Sequence, residues 1–283
     1  MKQLLLLMLA MLLSAQTIDS NIFAYYENKT FINSVQKEEG AIYGVGADIH
    51  HNGSKFKMVY EQAFINTIQP PLLKDFEIQK LFVRYSYNFN KNFALNINYI
   101  GVLKDNIAPT DGGVAFGGGM TYTFNKKIAL NFTQYYTEYE DFDIFQSDFR
   151  IYYKMKLQKL KLKFSSITKF ITVEDDEAIG SYTDNAQNNY LTTGVKFYAH
   201  RAGYHFGVGA YFGKRAFAIM DDGFKIQHHA MEFDRTYAVG VGKNIYDFVL
   251  RGQYIYQRAI ELPFEDSQHV KISSFRIIAN YKL

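Results

Sequence analysis

The chain ends on the stretch FRIIANYKL, residues Phe275–Leu283, in which the side chains follow a two-residue period. Its odd positions are all apolar: Phe275, Ile277, Ala279, Tyr281 and Leu283. The even positions include Arg276, Asn280 and Lys282. Because successive side chains of a β-strand point to opposite faces, this alternation predicts a strand with one apolar face.

The same period recurs about fourteen times after residue 19, and no stretch keeps a helical spacing of apolar residues over three turns. The connections differ in length. Tight turns are predicted near residues 52, 91, 126, 158, 202 and 245, and longer loops near residues 36, 72, 108, 141, 181, 225 and 265. All four prolines lie in the longer loops. The pattern predicts an all-β protein, an antiparallel up-and-down β-barrel of about 14 strands, with 12–16 possible.

Composition favours a transmembrane barrel over a soluble β-sandwich, whose strands also alternate. Hydrophobic residues make up 48% of the chain and aromatic residues 17%, and they are dispersed instead of forming blocks. A sandwich seldom sustains strands of about ten residues with aromatic-rich faces, and it predicts no alternation of loop length. Six aromatic residues near the predicted tight turns or the C-terminus are expected to form one aromatic girdle: Phe89, Phe93, Phe124, Tyr204, Phe248 and Tyr281.

The N-terminus carries one continuous apolar run, Leu4 to Leu13, behind Lys2. At about ten residues it is shorter than the roughly 20 that a membrane-spanning helix needs. We therefore expect residues 1–15 to be a cleaved signal peptide and residues 16–283 to be a single transmembrane barrel domain. The absence of Cys argues against a lipoprotein anchor, disulfides and thiolate metal sites. The formal net charge of +3 does not favour nucleic acid as a partner.

The terminal strand Phe275–Leu283, with Tyr281 third from the end, resembles the closing strand of Gram-negative outer-membrane β-barrels. That resemblance implies a place in the outer-membrane lipid and recognition of this strand by the barrel-assembly machinery. One departure is Leu283, where that class usually ends on Phe or Trp. In length, strand number and lack of a plug segment, the mature chain is similar to monomeric fourteen-stranded porins of the porin G type, which implies a monomer. No diagnostic motif supports this second similarity.

The alternation also assigns an inner face. Eleven basic residues are expected to line a pore: Lys57, Lys80, Arg84, Arg150, Lys154, Lys163, Lys169, Lys196, Arg215, Arg251 and Arg276. Fewer acids share that face: Asp48, Glu61, Asp148, Glu232 and Asp234. Rings of Lys or Arg favour anions in a pore. The alternative is that these charges pair with the inward acids and merely solvate the wall.

Two other groups of residues could carry chemistry. His228 and His229, near Asp221, Asp222 and Glu232, are the best metal candidates, but adjacent histidines on a strand point to opposite faces, so no metal site is expected. Residues 221–229 are expected to form a solvated outer loop, and no outer loop is expected to fold into the barrel as a constriction. Ser267 and His269 match no outer-membrane hydrolase motif, so the chain is not expected to be an enzyme or to hold a cofactor.

The sequence therefore predicts an outer-membrane channel for passive diffusion of small polar or anionic solutes. A non-conducting structural or adhesive surface barrel is the main alternative, and an outer-membrane hydrolase is a weaker one. A lumen closed by side-chain pairs would favour the non-conducting barrel.

Overall fold

The computed structural model describes residues 19–68, 74–106, 109–175, 183, 185–262 and 268–283, so the expected signal peptide lies outside the described residues. Fourteen strands form one closed barrel. They are β1 (Asp19–Ile32), β2 (Lys37–His51), β3 (Ser54–Thr67), β4 (Phe76–Asn88), β5 (Phe93–Asp105), β6 (Val114–Thr123), β7 (Ile128–Glu138), β8 (Phe142–Leu157), β9 (Leu160–Asp175), β10 (Asn189–Arg201), β11 (Tyr204–Arg215), β14 (Met231–Ile245), β15 (Phe248–Glu261) and β16 (Val270–Lys282). Two short strands, β12 (Ile219–Met220) and β13 (Lys225–Ile226), pair only with each other. No helix among the described residues is long and apolar enough to cross a membrane.

The barrel closes where the first strand meets the last. β1 pairs with β2 on one side and with β16 on the other, so that Ala24 lies opposite both Val45 and Ala279. β16 in turn pairs with β15, and every other neighbouring pair is antiparallel as well. The sheet consequently has no unpaired edge. The predicted fourteen-stranded, antiparallel up-and-down barrel is confirmed.

The strands alternate between an apolar outer face and a mostly polar inner face along their middle portions. In β5, Leu95 and Ile97 are 39% and 62% exposed, whereas Asn96 and Asn98 between them are each 5% exposed. The outward rings and aliphatic chains remain partly exposed on the outside of the wall. Because hydrocarbon solvates apolar side chains and offers the backbone no hydrogen-bond partner, this arrangement suits a closed sheet in a bilayer.

The tight turns lie where they were predicted. Four of them have two residues, and the turn at 52–53 places Asn52 at φ 44° and Gly53 at φ 80°, the left-handed conformations that two-residue hairpins need. The other two turns have four residues. In these, the Asn90 and Asn125 side-chain oxygens accept backbone N–H groups two and three residues ahead at 2.8–3.0 Å.

The expected longer loops near residues 36 and 141 are short in the structure. Only residues 33–36 separate β1 from β2, and only residues 139–141 separate β7 from β8. Both strand pairs continue their ladders almost to the turn, so the polar residues that favoured loops there are strand ends. The difference in connection length between the two ends of the barrel is therefore carried by the other five loops.

Aromatic side chains encircle the tight-turn end of the outer wall, as predicted. Phe89, Phe124, Tyr204 and Phe248 are each more than half exposed. Phe248 and Tyr281 face each other on adjacent strands with 4.7 Å between ring centroids, and Phe89 and Phe93, at the two ends of one turn, are 5.9 Å apart. Aromatic girdles of this kind mark the membrane–water interface of barrels.

The two faces of β14 should respond differently to the same charge. Val239 points outward and Ala238 points into the lumen beside it. Val239→Arg should lower the free energy of unfolding in lipid by roughly 2–4 kcal/mol near the midplane, because an arginine would be placed in hydrocarbon, whereas Ala238→Arg should cost much less. Reversible guanidinium titration of the refolded variants measures both. Equal losses at positions 238 and 239 would contradict the assigned faces.

Candidate functional site

The segment between β11 and β14, residues 216–230, folds into the barrel; we call it the inner loop. Its first residues are almost completely buried: Ala216, Phe217, Ala218 and Ile219 are at most 1% exposed. It then makes the β12–β13 hairpin around a 3-10 turn, Asp221–Gly223. All three turn residues have positive φ, which Asp and Gly tolerate better than most residues.

Wall side chains provide the polar partners of Ile219, at the centre of the inner loop. The Ile219 N–H donates to Gln146 Oε1 at 2.8 Å, and Gln146 Nε2 donates back to the Ile219 carbonyl at 2.8 Å. Lys169 Nζ donates to the same carbonyl at 2.8 Å and to Asp148 Oδ2 at 2.5 Å. The N–H and C=O groups of Ile219 thus have wall side chains as hydrogen-bond partners inside the lumen, as buried polar groups require.

Charges on opposite walls hold the tip of the inner loop. Asp222 pairs with Arg150 on β8, its carbonyl accepts a 3.0 Å hydrogen bond from Arg84 on β4, and Asp221 accepts from Lys196 on β10 at 2.8 Å. Lys196 lowers the pKa of Asp221 well below its ordinary value. Burial would raise the pKa of Asp222, but Arg150 and Arg84 outweigh it and the pKa is lowered. Both carboxylates are therefore charged at neutral pH.

This placement overturns two expectations. Residues 221–229 are not a solvated outer loop, and a loop does fold inward. The physical reason is the apolar run Ala216–Met220, which cannot remain in water and finds apolar partners inside the barrel. The run AFAIM was the sequence signal that could have revealed it, since a solvated loop is rich in polar and turn residues.

All eleven basic residues expected to line a pore lie on the inner face of the wall. Three of them pair with acids of the wall: Lys80 with Glu61, Lys169 with Asp148, and Arg276 with Glu27. Three more, Arg84, Arg150 and Lys196, hold the inner loop. For these six, the charges serve the internal structure of the barrel.

The other five differ. Within the described residues, Lys57, Lys154, Lys163 and Arg251 have no carboxylate within ion-pair distance, and the Lys163 ammonium lies 4.5 Å from the centroid of the Tyr152 ring. Arg215 is fully buried, and its guanidinium donates to Gln227 at 3.2 Å and to Thr236 at 2.5 Å. Arg215 therefore anchors the inner loop next to β14 through neutral partners.

One of the expected inward acids points elsewhere. The register of β14 shifts between Phe233 and Arg235, and the extra residue is Asp234. Its carboxylate pairs with Arg258 on β15, a residue on the same face as the exposed Tyr254. The period-2 assignment of Asp234 to the lumen was wrong because a bulge interrupts the alternation.

A cavity of about 1060 Å³ occupies the tight-turn half of the lumen and ends against the inner loop at Met220, Asp221 and Phe224. Its lining is strongly basic and includes these twelve residues: Lys57, Lys126, Lys127, Lys154, Lys156, Lys161, Lys163, Lys196, Arg215, Lys225, Arg251 and Arg276. Two acids, Asp48 and Asp221, also line it. The cavity is therefore a region of positive potential.

The long-loop half of the lumen contains three buried apolar clusters. The start of the inner loop packs with inward side chains of β8, β9 and β10 in one buried cluster, which includes Phe142, Ile171 and Phe217. Two smaller buried clusters cover the inner faces of β2–β4 and of β14–β16 at the same end. The lumen thus has a basic cavity toward the tight turns and buried apolar clusters toward the long loops, with the inner loop between them.

The histidines singled out in the sequence do not lie with the acids named beside them. Asp221 and Asp222 bind wall cations, and Glu232 pairs with Lys214 at 2.8 Å. His228 and His229 instead face the end of β5. Ser267 lies outside the described residues, so its relation to His269 is not described.

The fold is shared with solved outer-membrane proteins of very different sequence. No protein-family model and no curated protein matches the sequence. A bacterial polysaccharide outer membrane secretin superposes with a TM-score of 0.56 at 10% identity, covering 93% of this chain and 98% of that one. The CymD monoaromatic hydrocarbon channel gives 0.55 at 7% identity, covering 96% and 90%. The Acinetobacter baumannii outer membrane protein Omp33 gives 0.51 at 8% identity, covering 95% and 100%. The chain therefore has the outer-membrane β-barrel fold.

The two aspartates at the tip of the inner loop should control how fast the backbone amides of the loop exchange with deuterium. Replacing Asp221 and Asp222 by Asn removes the charges that Lys196 and Arg150 hold, so the amides of residues 216–230 should exchange with deuterium faster than in the parent protein. Hydrogen–deuterium exchange read by mass spectrometry measures this. Asp234→Asn, which breaks an ion pair of the wall, is the matched control and should leave the inner loop protected. Unchanged exchange in the double variant would show that the ion pairs do not hold the loop.

Proposed function

We propose that this chain is a porin-like channel of the bacterial outer membrane, through which small polar or anionic solutes diffuse passively. The observation that carries the proposal is the basic cavity inside a closed barrel. A lumen lined by cations raises the local concentration of anions and lowers the electrostatic barrier to their entry.

The cations that remain available to a solute are distinct from those that stabilise the barrel. Lys57, Lys154, Lys163 and Arg251 reach the cavity without a paired carboxylate among the described residues, whereas Lys80 and Lys169 are engaged in ion pairs and are at most 5% exposed. We therefore assign anion preference to the first group. The pore-lining role expected for Lys80, Arg84, Arg150 and Lys169 is replaced by a structural one in this proposal.

The inner loop forms the constriction of the proposed channel. It closes the basic cavity at Asp221 and Phe224, and its apolar start fills the space toward the long loops. A solute that crosses the barrel has to pass this segment, so the loop limits solute size and its displacement controls conduction.

The same proposal includes the route to the membrane. Residues 1–15 act as a cleaved signal peptide, and the barrel-assembly machinery recognises Phe275–Leu283, the strand that closes the sheet against β1. We also propose that the protein works as a monomer, since the barrel needs no second chain to close its sheet.

A non-conducting surface barrel is the second candidate. The buried apolar clusters toward the long loops favour it, since a packed interior has no need of a water path. Conductance of the refolded protein in planar bilayers distinguishes the two. Discrete ohmic current steps would support the channel. Absence of current from folded, inserted protein would support the non-conducting barrel.

Charge reversal in the cavity should change ion selectivity. Lys154→Glu together with Lys163→Glu should move the reversal potential in a salt gradient from anion toward cation preference, because the sign of the local field changes. The preference should also weaken at high salt, since the Debye length falls from about 10 Å at 0.1 M to about 3 Å at 1 M.

The control for this experiment is Lys271→Glu, which makes one such charge reversal on the outer face of β16. It should leave the reversal potential unaltered. If the two cavity substitutions leave the ion selectivity unchanged, Lys154 and Lys163 merely solvate the wall and do not set the selectivity.

The orientation of the barrel can be read by cysteine labelling, because the chain has no native Cys. With the long loops outside, a bulky membrane-impermeant maleimide added to intact cells should label Lys74→Cys and should leave Lys126→Cys in its tight turn unlabelled until the cells are broken. Labelling of Lys126→Cys on intact cells would reverse the proposed topology.

A further inference from the structure

The end of the inner loop brings two imidazoles and one carboxylate together. His229 Nε2 lies 3.0 Å and His228 Nε2 lies 3.2 Å from Asp105 Oδ2, and the possible ligand atoms of the three residues lie within 4.8 Å of one another. Asp105 and His228 are buried, at 1% and 5% exposure, and His229 is nearly so. Asp105 is the last residue of β5, so the cluster joins the loop to the wall.

We propose that Asp105, His228 and His229 bind one divalent transition-metal ion of the zinc class. Two imidazoles with one carboxylate suit such ions, whereas Ca²⁺ and Mg²⁺ prefer oxygen ligands alone. The spacing also fits. Bonds of about 2.0–2.1 Å in a tetrahedral site place neighbouring ligand atoms about 3.3 Å apart, close to the two distances found here.

The backbone explains why neighbouring histidines converge. Residues 227–230 are not a strand: they connect β13 to β14, and the chain turns there, with the Gln227 N–H donating to the Ala218 carbonyl and the Met231 N–H to the His229 carbonyl. The rule that adjacent side chains diverge holds for strands only. The sequence-based expectation that these histidines cannot share an ion was therefore wrong in its geometry.

The surroundings of the carboxylate support a ligand role. Thr110 Oγ1 donates to Asp105 Oδ2 at 3.0 Å, the kind of outer contact that orients a metal-binding carboxylate. The other oxygen, Asp105 Oδ1, is buried and has no hydrogen-bond partner among the described residues. A bound cation would compensate this buried anionic oxygen.

The orientation of His228 also fits a ligand role. Its Nδ1 lies 3.5 Å from the Ile226 carbonyl, which turns Nε2 toward Asp105. A backbone contact at the second ring nitrogen is the usual way in which a metal-binding imidazole is oriented.

A hydrogen-bond clasp is the alternative explanation, because two neutral rings could donate their Nε2–H groups to one carboxylate without any ion. Glutamine separates the two explanations. Its side-chain amide can donate to Asp105 much as Nε2–H does, but it is a poor ligand for zinc-class ions. The metal site is independent of whether the barrel conducts, so its test uses no conductance measurement.

The experiment is titration of the refolded full-length mature barrel with Zn²⁺ alone, followed by calorimetry and by thermal unfolding. The parent protein should bind one equivalent through this site and unfold at a higher temperature as Zn²⁺ rises, since an ion that binds only the folded state stabilises it. Excess Mg²⁺ should not compete. Absence of binding by the folded parent protein would overturn the proposal.

Variants assign the binding to this cluster. His228→Gln with His229→Gln, and separately Asp105→Asn, should lose that equivalent and the thermal shift. The control is His200→Gln with His205→Gln, which removes the other close imidazole pair, 3.2 Å apart near a tight turn, and should retain the buried site. Folding of each variant is checked by heat-dependent electrophoretic mobility. Zn²⁺ binding that survives in a folded His228→Gln, His229→Gln protein, or that disappears only in the control, would contradict the assignment.

Discussion

The pairing of β1 with β16 is the constraint on which the rest of the structure depends. A strand in hydrocarbon cannot leave its N–H and C=O groups without partners, so the first and last strands must find each other across more than 230 residues. Once they do, the outer face of the middle wall is mostly apolar, and most of its polar side chains turn inward. The crowded, charged interior follows from that closure, and so does its need for internal partners.

The inner loop, a segment of the same chain, provides the partners that the charged interior side chains need. Arg84, Arg150 and Lys196 would repel one another in an empty lumen, but they converge on the two aspartates of the inner loop. The apolar start of the loop meets apolar wall at the other end. The inner loop therefore contacts two different surfaces, the basic wall through its aspartates and the apolar wall through its first residues. The boundary between these surfaces determines where the basic cavity ends. Stability and the proposed selectivity draw on separate groups of cations.

The sequence predicted most of the fold because the side-chain directions and tight turns of a barrel wall depend only on neighbouring residues. Side-chain direction along β5 or β16 needs only a two-residue period, and turns such as 52–53 need only Asn-Gly. The candidate functional site could be predicted less well from the sequence. Nothing near Lys169 in sequence indicates that its ammonium holds the Ile219 carbonyl, 50 residues away. The inner loop, the bulge at Asp234 and the convergence of His228 on Asp105 are all non-local contacts, which alternation cannot encode.

The connection of the inner loop to the wall has a consequence for how such a barrel can change. β11 and β14 are direct neighbours, and they remain paired up to Arg215 and Phe233, on either side of the loop. The loop therefore enters and leaves the wall between two strands that are already joined. The length and composition of the inner loop can therefore change while the barrel wall stays the same. A barrel built in this way can acquire a new interior through a single insertion or deletion, without altering the number, tilt or order of its strands.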